Sequence, residues 1–198
     1  MERTTFEQCI DRHSEAIEQI RQAAHELHRA VNQTYGQGLP YAVHLDMVAN
    51  QVMSQGHEVC ASEHDVLPIV FGAYFHDSIE DARQTYNDVT RLARQWMDDE
   101  QAHMAAEIVY ALTNDKGRTR AERAGERYYQ GIRQTPYAPL VKLADRVANM
   151  TYSATHDNAD NVHMREVYRR ELPHFLEAIT AHDDDIRLAL PQALLATL

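Results

Sequence analysis

Four ionisable side chains stand within six residues, directly after an apolar run of the chain. Residues 66–75 form the run, and His76, Asp77, Glu80 and Asp81 follow it. On one helix, positions i, i+1, i+4 and i+5 fall within an arc of about 140°. We therefore expect His76 over Glu80, and Asp77 over Asp81. Because the run is apolar, this face should point inward, where like charges are costly unless a cation or strong hydrogen bonds neutralise them. The pattern predicts a metal-binding segment, with an exposed polar helix end as the alternative.

Two further candidate ligands lie far from this segment in the sequence. His44 stands near the start of a predicted second helix, and Asp145 follows an apolar run, as His76 does. Asn149 is four residues beyond Asp145, so both can face the same side of one helix. His44, His76, Asp77 and Asp145 would offer two imidazoles and two carboxylates. That donor set suits one first-row divalent ion, and manganese fits best, although iron, cobalt, nickel or zinc could also occupy it.

Apolar periodicity predicts helices along the whole chain. Only seven glycines and six prolines interrupt 198 residues, and no repeat, strand alternation or interdomain linker is visible. We predict one all-α domain spanning residues 1–198, which is long enough for a proper core. Thr85 to Asp88 is expected to cap a helix. Gly72 inside another helix costs stability, so we expect a neighbouring element to approach it closely.

Several helix boundaries follow from local signals. One apolar stripe from Phe6 to Val31 predicts a single long first helix. Ser62 resembles the start of a capping box for the helix that leads to His76. We further expect a charged helix over residues 121–132, a helix bent or broken at Pro173, and a last helix over residues 186–195.

The composition excludes several classes of function. A formal charge of −11 argues against a DNA- or RNA-binding surface, which needs clustered Lys and Arg. It leaves room for a small anionic substrate, because a metal can supply the local positive charge. Two cysteines are too few for a disulfide framework or a cysteine-based zinc site. No signal peptide and no membrane-spanning run is visible, so we expect a cytoplasmic protein without membrane contact.

The order of the candidate ligands matches a known signature. His44, then His76 and Asp77, then Asp145 form the H…HD…D pattern, and the chain resembles HD-domain metal-dependent phosphohydrolases. Within them it is similar to stand-alone (p)ppGpp hydrolases, relatives of the hydrolase domain of RelA/SpoT proteins. Four blocks between about residues 20 and 152 carry the match. They are Gly38-Leu-Pro-Tyr-Ala-Val-His44, His76-Asp-Ser-Ile-Glu-Asp81, Leu112-Thr-Asn-Asp-Lys116 with Glu122-Arg123, and Val141 to Met150.

The resemblance implies roles within an HD-type helical bundle. It assigns metal binding to His44, His76, Asp77 and Asp145. It makes Glu80 and Asp81 the catalytic pair, and which is acid and which is base stays open. The implied reaction removes pyrophosphate from the 3′ position of a guanosine polyphosphate and gives GDP or GTP.

The resemblance also implies contacts with a nucleotide. Asn149 matches an asparagine beside the nucleotide's sugar. Lys116 and Arg146 could meet phosphate oxygens, or could be solvated surface residues. The family carries Arg-Lys before its first metal histidine, where this chain has Tyr35 and Gly36. Tyr35 keeps a flat face for stacking on a base, or packs on the core as a helix-end aromatic. This departure concerns guanine recognition rather than hydrolysis.

Two other functions remain open from the sequence. One is a different HD-type nucleotide phosphatase, such as a 5′-deoxynucleotidase. The Glu80–Asp81 pair argues against it, and the missing Arg-Lys pair argues for it. The other is a nucleotide sensor that binds without turnover, although binding alone would not need every ligand and carboxylate.

Overall fold

The computed structural model describes residues 1–114 and 117–198, and its architecture is a bundle of helices. The predicted all-α fold is confirmed. In chain order the elements are α1 (Arg3–Arg12), α2 (Ser14–Ala30), β1 (Thr34–Tyr35), β2 (Leu39–Pro40), α3 (Ala42–Gln55), α4 (Val66–Phe75), α5 (Ser78–Asp81), α6 (Tyr86–Ala93), α7 (Asp99–Leu112), α8 (Arg120–Arg123), α9 (Glu126–Gln134), α10 (Ala138–Thr155), α11 (Ala159–Ile179) and α12 (Gln192–Leu195).

Helix α4 occupies the centre of the bundle. All ten of its residues are buried, as expected for a helix that is apolar on every side. It packs against α2, α3 and α7. Gly72 faces α7, where a Cβ atom would lie 2.6 Å from Cγ2 of Ile108. The predicted close approach at Gly72 is therefore confirmed.

Helix α10 is the second organising element. Pro139 in its first turn is compatible with helix initiation, because the first amides of a helix have no partner inside it. Leu140, Leu143 and Val147 bury one side of the helix. The helix packs against α3, α7, α9 and α11, so polar side chains at intervening positions are held inside the bundle. This placement brings the chemistry-bearing part of α10 next to α3.

Two predicted helices are each divided in the structure. The first is interrupted at His13. Both parts pack on α4, but α1 also packs on the 56–65 segment, whereas α2 packs on α3 and α5. The segment from His76 to Asp81 is not continuous with α4 either, because the chain leaves helical geometry at Asp77 (φ −98°, ψ 4°) before α5 begins. The expected alignment of all four ionisable side chains along one helix face was therefore wrong, although Asp77 and Asp81 are still one turn apart, with the Asp81 amide donating to the Asp77 carbonyl at 2.8 Å.

Of the two predicted capping boxes one is present, and the helix that contains Pro173 is not broken there. Thr85 and Asp88 form a complete capping box at α6, as predicted. Ser62 precedes a 3-10 turn, Glu63–Asp65, and its side chain makes no cap bond, so that capping box was wrong. Helix α11 continues through Pro173 without a break, where packing on α9 and α10 offsets the lost hydrogen bond.

The helices predicted over residues 121–132 and 186–195 are each interrupted in the structure. The charged helix expected over residues 121–132 is two helices, α8 and α9, with Gly125 at the start of the second. The last helix is replaced by a 3-10 turn, Ile186–Leu188, and then α12, since Pro191 cannot donate to a continuous helix.

A short antiparallel hairpin was not predicted. Thr34 pairs with Pro40 and Tyr35 with Leu39, and Gly36 and Gly38 in the turn both have positive φ. This left-handed geometry suits glycine. In the part of the chain that the structure describes, every helix is too short or too polar to span a bilayer.

Candidate functional site

Three side chains from separate elements meet at one point in the bundle. His44 lies in the first turn of α3, His76 directly follows α4, and Asp145 lies in the middle of α10. One ligand atom from each lies within 4.8 Å of the other two. The two Nε2 atoms are 3.2 Å apart, and His44 Nε2 is 3.4 Å from Asp145 Oδ1. The three residues form a candidate metal site.

Asp77, the fourth predicted ligand, borders the same point. Its Oδ2 atom lies 2.9 Å from His76 Nε2 and 3.7 Å from His44 Nε2. The Tyr41 hydroxyl donates a hydrogen bond to this oxygen and fixes the carboxylate. Burial raises the pKa of Asp77, but the charge and hydrogen bond of His76 outweigh it and hold that pKa below its usual range. The carboxylate is therefore ionised.

His76 has the orientation of a metal-binding imidazole. Its Nδ1 atom donates to the Ala73 carbonyl at 2.9 Å, so the lone pair of the neutral ring lies on Nε2 and faces His44. Burial lowers the pKa of His76, but the charge and hydrogen bond of Asp77 outweigh it and raise this pKa to about 9, so a bound cation would replace a proton on Nε2. Both imidazoles are buried, with about 2% of each residue exposed. Two buried nitrogen donors beside two partly exposed carboxylates fit one divalent cation.

Two neighbours on α10 hold the Asp145 carboxylate. Lys142 Nζ donates to Oδ2 at 3.0 Å, and Asn149 Nδ2 donates to Oδ1 at 2.6 Å. The expectation that Asp145 and Asn149 share one side of a helix is thus met. Burial raises the pKa of Asp145, and the Lys142 charge outweighs it, so this pKa lies well below its usual range.

Glu80 and Asp81 lie on α5, beside the cluster, in different surroundings. Glu80 is exposed and accepts hydrogen bonds from Asn114, from the backbone amide at 3.3 Å and the side-chain amide at 2.9 Å. Asp81 is partly buried and accepts a hydrogen bond from Gln33 Nε2 at 3.0 Å. Burial and the charges of Asp77 and Glu80 raise the pKa of Asp81 to about 6. Asp81 can therefore hold or release a proton near neutral pH.

The predicted nucleotide contacts occupy varied positions. The Tyr35 ring stacks on His44, with ring centres 4.8 Å apart, and its hydroxyl donates to Asn149 Oδ1 at 3.0 Å. Arg146 is buried: its guanidinium carbon lies 4.8 Å from the Tyr168 ring centre and 4.2 Å from that of Phe175. Lys116 lies outside the described residues. Base stacking by Tyr35 and phosphate contact by Arg146 stay predictions.

Several neighbours of the site were not singled out from the sequence. Tyr41 and Lys142 stand inside quoted sequence blocks, three residues before His44 and Asp145, and this spacing could have indicated them. Asn114 also stands inside a quoted block, but at no helical spacing from Glu80, and Gln33 lies outside all four blocks. His28 stacks on Tyr41 at 4.7 Å, and neither ring nitrogen has a hydrogen-bond partner in the described part of the chain. Burial lowers the pKa of His28 to about 4, so this imidazole is neutral at pH 7.

Comparison with known proteins identifies two similar chains. The guanosine-3′,5′-bis(diphosphate) 3′-pyrophosphohydrolase MESH1 of Danio rerio is 28% identical over 134 residues, which cover 68% of this chain and 66% of the relative. The Mus musculus protein of the same name is 30% identical over 131 residues, which cover 65% of this chain and 63% of the relative. The match thus spans slightly less than two thirds of each relative. No model of a protein family matches. The predicted resemblance to stand-alone (p)ppGpp hydrolases is confirmed.

Proposed function

We propose that this chain, which is similar to stand-alone (p)ppGpp hydrolases, is a metal-dependent nucleotide pyrophosphohydrolase. Its substrate would be (p)ppGpp, cleaved to GDP or GTP and pyrophosphate. The observation that carries the proposal is the convergence of His44, His76 and Asp145 beside two further carboxylates, Asp77 and Asp81. The two pyrophosphohydrolases of similar sequence support the same reaction class.

Four side chains would hold the metal: His44, His76, Asp77 and Asp145. A divalent ion bound there would lower the pKa of a water molecule and offset charge on the phosphoryl group. The surrounding residues keep these ligands in place. The Ala73 carbonyl fixes the His76 ring, and Tyr41 fixes Asp77. Lys142 and Asn149 hold the two oxygens of Asp145.

Glu80 and Asp81 would move the protons of the hydrolysis. In that reaction an oxygen of water bonds to phosphorus, and the bond between phosphorus and the 3′ oxygen breaks. One carboxylate takes a proton from the water, and a carboxyl group gives one to the leaving oxygen. With a pKa of about 6, the protonated and ionised forms of Asp81 are both populated near neutral pH. Glu80 is exposed toward solvent and tied to Asn114.

The test measures pyrophosphate release from ppGpp with added Mn²⁺. We expect His76→Ala to lose both the bound metal and turnover, because it removes a buried nitrogen donor. Glu80→Ala should keep the metal and lose turnover. Glu177→Ala, at an exposed position of α11, is the matched control and should keep both.

Metal content measured by mass spectrometry distinguishes the two roles. Equal metal loss in His76→Ala and Glu80→Ala would contradict the separation into ligands and catalytic pair. No activity on ppGpp or on a panel of other nucleotides would reject the enzyme. Nucleotide binding without product would then support a sensor.

The alternative function is that of a different nucleotide phosphatase, such as a 5′-deoxynucleotidase. The contacts of Tyr35 favour it. The Tyr35 ring packs on His44 and its hydroxyl is bonded to Asn149, so this residue is engaged with the site rather than extended as a free platform for a base. A 5′-deoxynucleotidase releases orthophosphate, whereas the proposed enzyme releases pyrophosphate. Product analysis separates the two.

A further inference from the structure

A cavity of about 780 Å³ lies between α9, α10 and α11, on the Lys142 side of the candidate metal site. Its wall includes Lys142 and Arg146 on α10, Arg170 on α11 and Arg123 at the end of α8. None of these four residues is among the candidate metal ligands. The cavity is large enough for part of a small molecule.

The wall of this cavity is cationic although the chain as a whole is acidic. The formal charge of the protein is −11. The described lining residues include four basic side chains and two carboxylates, Glu126 and Glu171. Glu126 is bonded to Arg133, and Glu171 lies 3.3 Å from Arg146. The lining therefore carries a formal charge of +2, which favours an anionic occupant.

Two of the cations are fixed in place. The Arg146 guanidinium lies against the Tyr168 and Phe175 rings, and its side chain is 8% exposed. Lys142 Nζ lies 5.6 Å from the Tyr128 ring centre, and its side chain is 19% exposed. Immobilised cations with little solvent around them bind phosphate more strongly than mobile surface lysines do, because less side-chain entropy is lost.

The cavity adjoins the candidate metal site through two of its lining residues. Lys142 donates to Asp145, and Asn114 donates to Glu80. A ligand in the cavity would thus lie one side chain away from a candidate metal ligand and from a member of the proposed catalytic pair. An ammonium group has three donors, so Lys142 can serve Asp145 and a ligand together.

We propose that this cavity binds a phosphate or polyphosphate group. The group could come from either of two sources. The first is the set of substrate phosphates that are not cleaved, and for this source the inference rests on the proposed function. The other source is a separate anion. The basic side chains recognise the same oxygens in both cases.

The first experiment measures binding of inorganic pyrophosphate by calorimetry, with EDTA present so that no metal contributes. The test variant replaces two rim cations, Arg123→Gln with Arg170→Gln. The control is Arg169→Gln. Arg169 is exposed and adjacent to Arg170, but Arg169 itself does not line the cavity. We expect the dissociation constant to rise about tenfold or more in the double variant and to change less than about twofold in the control.

Three outcomes would overturn the inference. They are no pyrophosphate binding by the unchanged protein, undiminished binding by the double variant, and equal weakening by Arg169→Gln. A double variant with Arg123→Lys and Arg170→Lys should recover most of the binding. Circular dichroism of each variant shows whether it is folded. None of these measurements requires turnover, so they test the cavity even if the proposed function fails.

The second experiment distinguishes the two sources by kinetics. Its substrates are ppGpp and guanosine 3′-diphosphate, which lacks the 5′ phosphates. If the uncleaved phosphates occupy the cavity, Arg123→Gln with Arg170→Gln raises KM for ppGpp about tenfold and leaves kcat/KM for guanosine 3′-diphosphate unchanged. If pyrophosphate binding is lost while both substrates react normally, the cavity serves a separate anion. A kcat loss shared by both substrates would contradict a binding role.

Discussion

Asp81 combines a catalytic assignment with a cost to the fold. Burial and the charges of Asp77 and Glu80 raise its pKa to about 6, against an ordinary value of 3.8. A carboxylate whose anion is disfavoured in the folded state destabilises that state wherever it is ionised. Such a residue is expected at sites of proton transfer, where a pKa near the working pH is useful.

Asp81→Asn should stabilise the metal-free protein at pH 8 and abolish turnover. The folded pKa is higher than the unfolded one, so the penalty is fully present above about pH 6 and disappears as the pH falls toward 4. The full displacement corresponds to about 3 kcal/mol, and partial solvation reduces the expected gain to about 1–2 kcal/mol. Urea unfolding at pH 8, 6 and 4.5 measures the free energy of unfolding.

Glu177→Gln is the matched control for that prediction. Glu177 is an exposed carboxylate on α11, away from Asp81, so its replacement should change the free energy of unfolding by less than about 0.5 kcal/mol at any of these pH values. A gain for Asp81→Asn that is the same at pH 4.5 and pH 8 would show that the stabilisation does not come from the raised pKa.

At the scale of elements, the turn between α4 and α5 decides the geometry of the site. His76 Nδ1 donates to the Ala73 carbonyl, the group that would accept the Asp77 amide in a continuous helix. The chain turns there, and Glu80 is directed to Asn114. Apolar periodicity alone does not predict that a side chain will compete with a backbone amide for a carbonyl group.

Sequence reasoning succeeded where a local rule determines the result. The i, i+4 relation of Asp145 and Asn149 became a 2.6 Å hydrogen bond, and the Thr85 signal became a capping box. It failed where distant elements decide. Gln33 meets Asp81 from 48 residues away, and Tyr35 turns onto His44 through a hairpin whose strands are two residues long. No local pattern specifies these contacts.

The contact between α4 and α7 at Gly72 should not tolerate even one methyl group. A Cβ atom at Gly72 would lie 2.6 Å from Ile108 Cγ2, which is closer than unstrained carbon atoms approach. Gly72→Ala also gains helix propensity of about 1 kcal/mol. We expect the clash to outweigh that gain, with a net loss of about 1–3 kcal/mol in the free energy of unfolding. Chemical denaturation measures it.

A double-mutant cycle identifies the cause of this loss. Ile108→Ala removes Cγ2 and costs about 2–5 kcal/mol alone, because it opens a cavity in the core. If overpacking is the cause, Gly72→Ala should cost much less, or even stabilise, in the Ile108→Ala background. Additive losses in the double variant would instead show that the loss in Gly72→Ala does not come from the clash with Ile108.

For the whole molecule, the candidate metal site connects elements that are distant in the sequence. His44, His76 and Asp145 lie on or next to α3, α4 and α10, and α3 packs against both other helices. The helices bring two buried imidazoles and two carboxylates together, an arrangement that is costly without a cation. A bound ion should therefore stabilise the bundle as a unit.

We predict that Mn²⁺ at about one hundred times its dissociation constant raises the melting temperature by roughly 5–10 °C. Such a concentration adds about 2.7 kcal/mol to the folded state, and each kcal/mol corresponds to about 2–4 °C for a chain of this length. Calorimetry with Mn²⁺, and then with excess EDTA, measures the gain and its reversal. The gain should vanish in His76→Ala and persist in Glu80→Ala. His64→Ala, which removes a partly exposed histidine bonded to Asp98, should also retain it. An equal shift in His76→Ala would mean that the ion stabilises the protein at another place, and that the convergence of the two imidazoles serves no metal.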